Sequence, residues 1–152
     1  MPLLSSSVFK DKILSGAKRQ TIRAPRKIPI KVGDTLYMWW TSRSPQREKL
    51  GEANCTKTTP ITIQKTKAIL TYPDSGDYEI VHLDKFAIAD GFDNWQQLIE
   101  FFENTHGLPF TGDLIEWDDI VRDPNPEFIA SLNKYVSDNG LPESYYDQVD
   151  ND

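Results

Sequence analysis

The sequence contains very little cysteine and histidine. Its 152 residues include one cysteine, Cys55, and two histidines, His82 and His106, which are far apart in the chain. A single cysteine excludes an internal disulfide and fits a reducing compartment. A zinc site needs several closely spaced cysteine or histidine ligands, so we expect no metal site, and no motif indicates a cofactor.

Long apolar runs are also absent. No stretch reaches the roughly eighteen apolar residues that a transmembrane helix needs. The N-terminal residues lack the apolar core of a secretory signal. We therefore predict a cytoplasmic protein without membrane contact, with a length that fits one domain or one domain and a tail.

Basic residues are scarce in the second half of the chain. Residues 1–67 contain fourteen Lys and Arg against four Asp and Glu, whereas residues 68–152 contain three against nineteen. Nine of those acids lie in residues 118–152, beside only two basic residues. Such asymmetry predicts a surface that faces a polyanion, or an acidic tail, and the overall net charge of −6 conceals it.

Short strands are the most frequent elements that the sequence predicts. We predict a first helix capped by Ser5–Ser7 and ended by Gly16, and a longer helix with capping-box spacing from Asp93 that ends at Gly107. A further helix is predicted over 126–136. The predicted strands cover residues 18–23, 35–40, 50–56, 61–65, 68–72, 78–83 and 112–117. This order favours an α+β fold, a small and mostly antiparallel barrel over 1–117, followed by a helical acidic extension over 118–152.

A series of short motifs resembles an ASCH domain, a relative of the small PUA β-barrel found in RNA-binding proteins. The resemblance covers about residues 6–117 and is closest to the long form common in bacteria and their phages. The motifs are GAKRQTIR (16–23), VGDTLY (32–37), Leu50-Gly51, ADGF (89–92), HGLPF (106–110) and LIEW (114–117).

The resemblance implies a ligand site and, in one branch, an enzyme. ASCH domains are expected to bind RNA or nucleotides in a cleft beside the first helix. One bacterial branch removes the acetyl group from N4-acetylcytidine, using a Lys and a Thr in a K-x-x-T segment and a downstream Glu. Lys18 and Thr21 match the first two, and Asp90 stands where that branch has the Glu.

The chemistry of these three residues has two interpretations. Thr21 could act as nucleophile if Lys18 took its proton, which requires burial or neighbouring cations to lower the lysine pKa from about 10.4. Asp90 would then orient the ammonium group. In the structural interpretation, Lys18 is a solvated or phosphate-contacting charge, Thr21 is a strand residue, and Asp90 belongs to an Asp-Gly turn.

Two basic loops flank the aromatic strand 35–40 and suggest further ligand contacts. Arg23 and Arg43 could meet phosphate while an aromatic face stacks on a base, or the loop charges could simply be solvated. Because neighbouring strand residues face opposite ways, only one of Trp39 and Trp40 could meet a ligand, and we favour Trp40.

Together with these residues, the resemblance to ASCH domains implies a protein that binds RNA or a modified nucleoside through Lys18, Thr21, Arg23, Trp40, Arg43 and Asp90. The first alternative is a metal-free amidohydrolase with Thr21 as nucleophile, Lys18 as base and Asp90 as the orienting carboxylate. The second is a phage or bacterial interaction module whose acidic tail contacts a protein partner.

Overall fold

Seven strands and three helices form the described part of the molecule. The computed structural model describes residues 3–6, 8–41 and 45–121. None of the helices in these ranges is long and apolar enough to cross a bilayer. The elements are β1 Leu3–Ser6, α1 Lys10–Ser15, β2 Gln20–Arg23, β3 Thr35–Trp40, β4 Glu48–Gln64, β5 Lys67–Tyr72, β6 Gly76–Glu79, α2 Leu83–Ala89, α3 Trp95–Thr105 and β7 Phe110–Trp117.

The long strand β4 organises the sheet. Its first half pairs with β3, its second half pairs with β7, and its end also pairs with β5, all antiparallel. β2 extends the sheet beyond β7, β6 lies beside β5, and β1 runs parallel to β3. The result is a mostly antiparallel open sheet with helices, which confirms the predicted α+β class.

Two apolar clusters hold the sheet and helices together. The first cluster packs α2 and α3 against β5, β7 and the end of β4, with Leu98, Ile99 and Phe102 as the buried face of α3. The second cluster packs Ile13 of α1 against β1, β3 and the first half of β4. Phe9 touches both clusters, so the chain just before α1 lies at their junction.

The predicted first helix is correct in its end and wrong in its beginning. Gly16 has a left-handed backbone (φ +81°) and caps α1, as glycine without a Cβ readily does. The predicted caps fall elsewhere, because Ser5 and Ser6 belong to β1, which pairs with β3 at Trp39 and Trp40. α1 begins after Phe9, which forms no side-chain cap hydrogen bond.

The two strands predicted on either side of Pro60 are one strand. β4 runs through the proline, which lies opposite Asp113 of β7 and one residue before the ladder to β5 begins at Ile61. The irregularity occurs instead between Cys55 and Lys57, where the register with β7 shifts.

The strand predicted over 78–83 is correct only at 78–79. β6 is confined to Gly76–Glu79, and the next residues form the helix α2. Leu83, Phe86 and Ala87 pack on the first cluster, and their spacing of three and four residues is helical. The predicted helix over 126–136, the rest of the acidic extension from residue 122 and its suggested partner contact lie outside the described residues.

Candidate functional site

A buried ion pair joins the region after α1 to the end of α2. Lys18 follows the Gly16 cap, and Asp90 is the C-cap of α2, so the two helix ends bring together residues 72 positions apart. Lys18 Nζ lies 3.8 Å from Asp90 Oδ2 and also donates a hydrogen bond to the backbone carbonyl of Asp90. The residues are only 1% and 3% exposed, which is rare for Lys and Asp.

Two neighbours complete the surroundings of this pair. Gln20 Nε2 lies 3.5 Å from Asp90 Oδ1, at the outer limit of a hydrogen bond. On the other side, Lys18 Nζ lies 4.5 Å from the centroid of the Phe9 ring, a cation–π contact. We call Phe9, Lys18, Gln20 and Asp90 the Lys18 cluster. Its charges are matched and hydrogen-bonded, as burial in a low dielectric requires.

Thr21 and Arg23 form a second buried pair. Arg23 Nε donates a 3.0 Å hydrogen bond to Thr21 Oγ1, and both residues are almost fully buried. Thr21 pairs across the ladder with Ile115 of the second cluster, so its side chain lies on the opposite face of β2 from Gln20. Of the predicted catalytic residues, the structure therefore joins Lys18 to Asp90, and joins Thr21 to Arg23.

A cavity of about 510 Å³ opens between α1 and α3, next to the Lys18 cluster. Aromatic rings form part of its wall. The centroid of the Phe92 ring lies 5.3 Å from that of Phe9, in an edge-to-face arrangement, and 5.4 Å from that of Phe101. The volume and the aromatic lining are typical of sites for small organic ligands. The polar lining residues are Asp11, Lys12, Asp93, Gln97, Glu100 and Asn104.

The charges around the cavity are mostly negative. Asp11, Asp93 and Glu100 contribute three carboxylates, against the single ammonium group of Lys12. That group donates a hydrogen bond to the carbonyl of Gly91 and lies 3.9 Å from Asp93 Oδ1, so its charge is partly satisfied within the protein.

The predicted ligand contact Trp40 is not part of the Lys18 cluster. Trp40 is half-buried at the other end of α1, where Lys10 Nζ lies 4.8 Å from its ring and 2.6 Å from Glu48. Trp39 is buried, and Met38 beside it is buried as well, because a register shift interrupts the alternation between them. Arg43 lies outside the described residues.

Phe9, Gln20 and Phe101 are the residues of this region that the sequence interpretation missed. Phe9 precedes α1 and does not belong to the helix that the sequence predicts there, and its neighbour Val8 is 68% exposed. The missed signal was the K-x-Q spacing, which places Gln20 two residues after Lys18 and on the side of Asp90. Within the described ranges, no group of three His, Cys, Asp or Glu side chains could hold a metal ion.

Comparison with known proteins identified no relative of this chain. No protein-family model, no curated protein and no solved structure matches the chain.

Proposed function

We propose that this protein is an ASCH-type, PUA-like domain that binds a modified nucleoside between α1 and α3, beside the Lys18 cluster. The observation that carries the proposal is the Lys18–Asp90 pair, 1% and 3% exposed, next to an aromatic cavity of about 510 Å³. A buried ion pair contributes little to stability compared with apolar packing, so its place beside a cavity favours a role in binding.

The groups at this site suit a nucleobase. Lys18 offers a donor, Asp90 acceptors and Gln20 one of each, which can match the carbonyl, amine and amide groups on the edge of a base. Phe9, Phe92 and Phe101 offer rings for stacking, which contributes about 1–3 kcal/mol per base.

The charges around the cavity support an uncharged nucleoside over a long RNA. Three carboxylates against one tethered ammonium group would repel phosphates close to the cavity. The basic segments of the first half of the chain then serve only ligands that extend beyond the cavity, and their contribution should weaken with salt.

One specific contact favours amide hydrolysis as a second candidate. Lys18 and Asp90, two residues of the predicted catalytic set, touch each other. The guanidinium of Arg23 also donates to Thr21 Oγ1, which would stabilise negative charge on that oxygen during attack on an acetyl carbonyl. In this reaction Thr21 Oγ1 would form an ester with the acetyl group as the amide C–N bond breaks, and the nucleobase amine would leave with the proton given up by Thr21. Water would then hydrolyse the ester, releasing acetate and restoring the hydroxyl group of Thr21.

Calorimetric titration of the full chain with cytidine, N4-acetylcytidine and adenosine tests the proposal. We expect Lys18→Met to weaken nucleoside binding by roughly tenfold or more, because a hydrogen bond to a charged group is lost. The matched control is Lys85→Met, which removes an exposed charge from α2. Acetate release is measured on the same samples, with Thr21→Ala as the variant that should abolish it.

Two results would contradict the proposal: no binding of any of the three nucleosides, or equal binding by the wild type and Lys18→Met. Circular dichroism of each variant shows that the fold is retained. Binding without acetate release would leave the nucleoside proposal standing and would exclude hydrolysis of this substrate.

A further inference from the structure

We propose that Phe9 is the specificity-determining residue of this site, because its ring separates the cavity from the Lys18–Asp90 pair. The inference rests on the proposed function, and it specifies which part of the ligand reaches the buried charges. It predicts that only a small substituent of the base can pass the Phe9 ring.

Phe9 has contacts on both sides. Its ring lines the cavity, where it meets Phe92 edge to face. The same ring lies over Lys18 Nζ at 4.5 Å, and Lys18 itself is 99% removed from solvent. A molecule in the cavity therefore meets Phe9 before it can meet Lys18.

The absence of a side chain at Gly91 allows Phe9 and Lys18 to pack closely against this residue. A Cβ at this position would lie 2.8 Å from Phe9 Cδ1 and 3.1 Å from Lys18 Cδ, closer than van der Waals contact allows. Gly91 also has φ +103°, a backbone conformation that side chains disfavour. Its carbonyl accepts a hydrogen bond from Lys12, which ties α1 to the turn that carries Asp90.

The position of Phe9 gives it a definite effect on the ligand. A planar base can stack on the rings at the cavity wall, where aromatic faces are offered. The donor of Lys18, which lies over one face of the Phe9 ring, and the acceptors of Asp90 are then reached only by a short exocyclic group that passes the ring. Replacing the ring by a methyl group should open that passage to longer groups and to water.

Amine labelling of the full-length protein tests the barrier without any ligand. The N-hydroxysuccinimide ester of acetic acid acylates exposed lysines, and peptide mass spectrometry gives the rate for each one. In the wild type we expect exposed Lys85 to react and Lys18 to be protected. In Phe9→Ala we expect this protection of Lys18 to be lost.

Phe101→Ala is the matched control, since Phe101 lines the same cavity and contacts Phe92. Unchanged protection of Lys18 in Phe9→Ala, or an equal loss in Phe101→Ala, would overturn the proposal. Phe9→Leu retains bulk without the ring and should give intermediate protection. If Phe9→Ala does not fold, Phe9→Leu takes its place in the comparison with Phe101→Ala.

A binding series then tests specificity. Cytidines with N4-acetyl, N4-propionyl and N4-butyryl groups are titrated into the wild type and Phe9→Ala. We expect wild-type affinity to fall by roughly tenfold for each added methylene, and Phe9→Ala to bind all three with similar affinity.

The two proposals fail in different ways. If the wild type binds none of the cytidines, the proposed function is wrong, and the labelling result still decides whether Phe9 shields Lys18. If both proteins bind them with the same dependence on chain length, the assignment of specificity to Phe9 is wrong and nucleoside binding stands.

Discussion

Buried polar side chains are the most unusual feature of this molecule at the scale of single residues. Lys18, Thr21, Arg23 and Asp90 are each at most 6% exposed, although three of them belong to residue types that almost always lie at the surface. Each has a hydrogen-bond partner across the fold or along its strand. Such groups are stable only as a matched set, so we expect single replacements within the Lys18 cluster to affect its other members.

Cys55 is also buried, but its surroundings are apolar. It is 2% exposed within the second cluster, and burial raises the pKa of its thiol. A raised pKa in the folded state stabilises the fold below the pKa of the unfolded thiol. That contribution is lost as the pH rises through the folded value.

We therefore predict a pH-dependent difference between the wild type and Cys55→Ala. The stability of the wild type relative to the variant should decrease between neutral pH and about pH 10, because the unfolded thiol ionises near 8.5. Urea unfolding of both proteins at a series of pH values measures this. A difference that stays constant or grows with pH would contradict the role of burial.

At the scale of elements, the start of α3 is fixed by hydrogen bonds between neighbouring residues. Asn94 Oδ1 accepts a 2.9 Å hydrogen bond from Gln97 N, and Gln97 Oε1 accepts one of 2.7 Å from Asp93 N. This reciprocal arrangement satisfies two backbone donors at the helix start. The cap lies one residue later than the spacing from Asp93 predicted.

Removing this cap should lower stability measurably. We expect Asn94→Ala to cost about 1 kcal/mol and to lower the melting temperature by roughly 2–4 °C for a protein of this size. Glu103→Ala, at an exposed position of the same helix, should leave it unchanged. Thermal unfolding followed by circular dichroism makes the comparison, and equal shifts for both variants would refute the assigned cap.

At the scale of the whole molecule, the described chain does not end with the sheet at Trp117. Val121 forms two backbone hydrogen bonds with Glu52, of 2.7 and 2.8 Å, and Asp118 accepts one from Asn54 N. Asp119 pairs with Arg19. The residues that open the predicted extension are therefore attached to β4 and to Arg19, the residue that follows Lys18.

A chain that ends after Trp117 should be less stable than one that ends after Val121. The lost hydrogen bonds contribute about 0.5–1.5 kcal/mol each, so the difference should reach about 2 kcal/mol in urea unfolding. Asp119→Ala in the longer chain removes only an exposed ion pair and should have little effect. Equal midpoints for the two chains would mean that residues 118–121 do not support the sheet.

The sequence by itself determined the features that depend on neighbouring residues. These include the α+β class, strand β3 at its observed bounds, the Gly16 stop of α1 and the apolar face of α3, because glycine conformation and side-chain periodicity act locally. Only the tertiary structure decided where distant groups meet. The Lys18–Asp90 contact spans 72 residues and needs two helix ends to converge, and the Phe9 ring gains its position from packing against both clusters. The pairing of Thr21 with Ile115 follows from the ladder between β2 and β7, which no local pattern specifies.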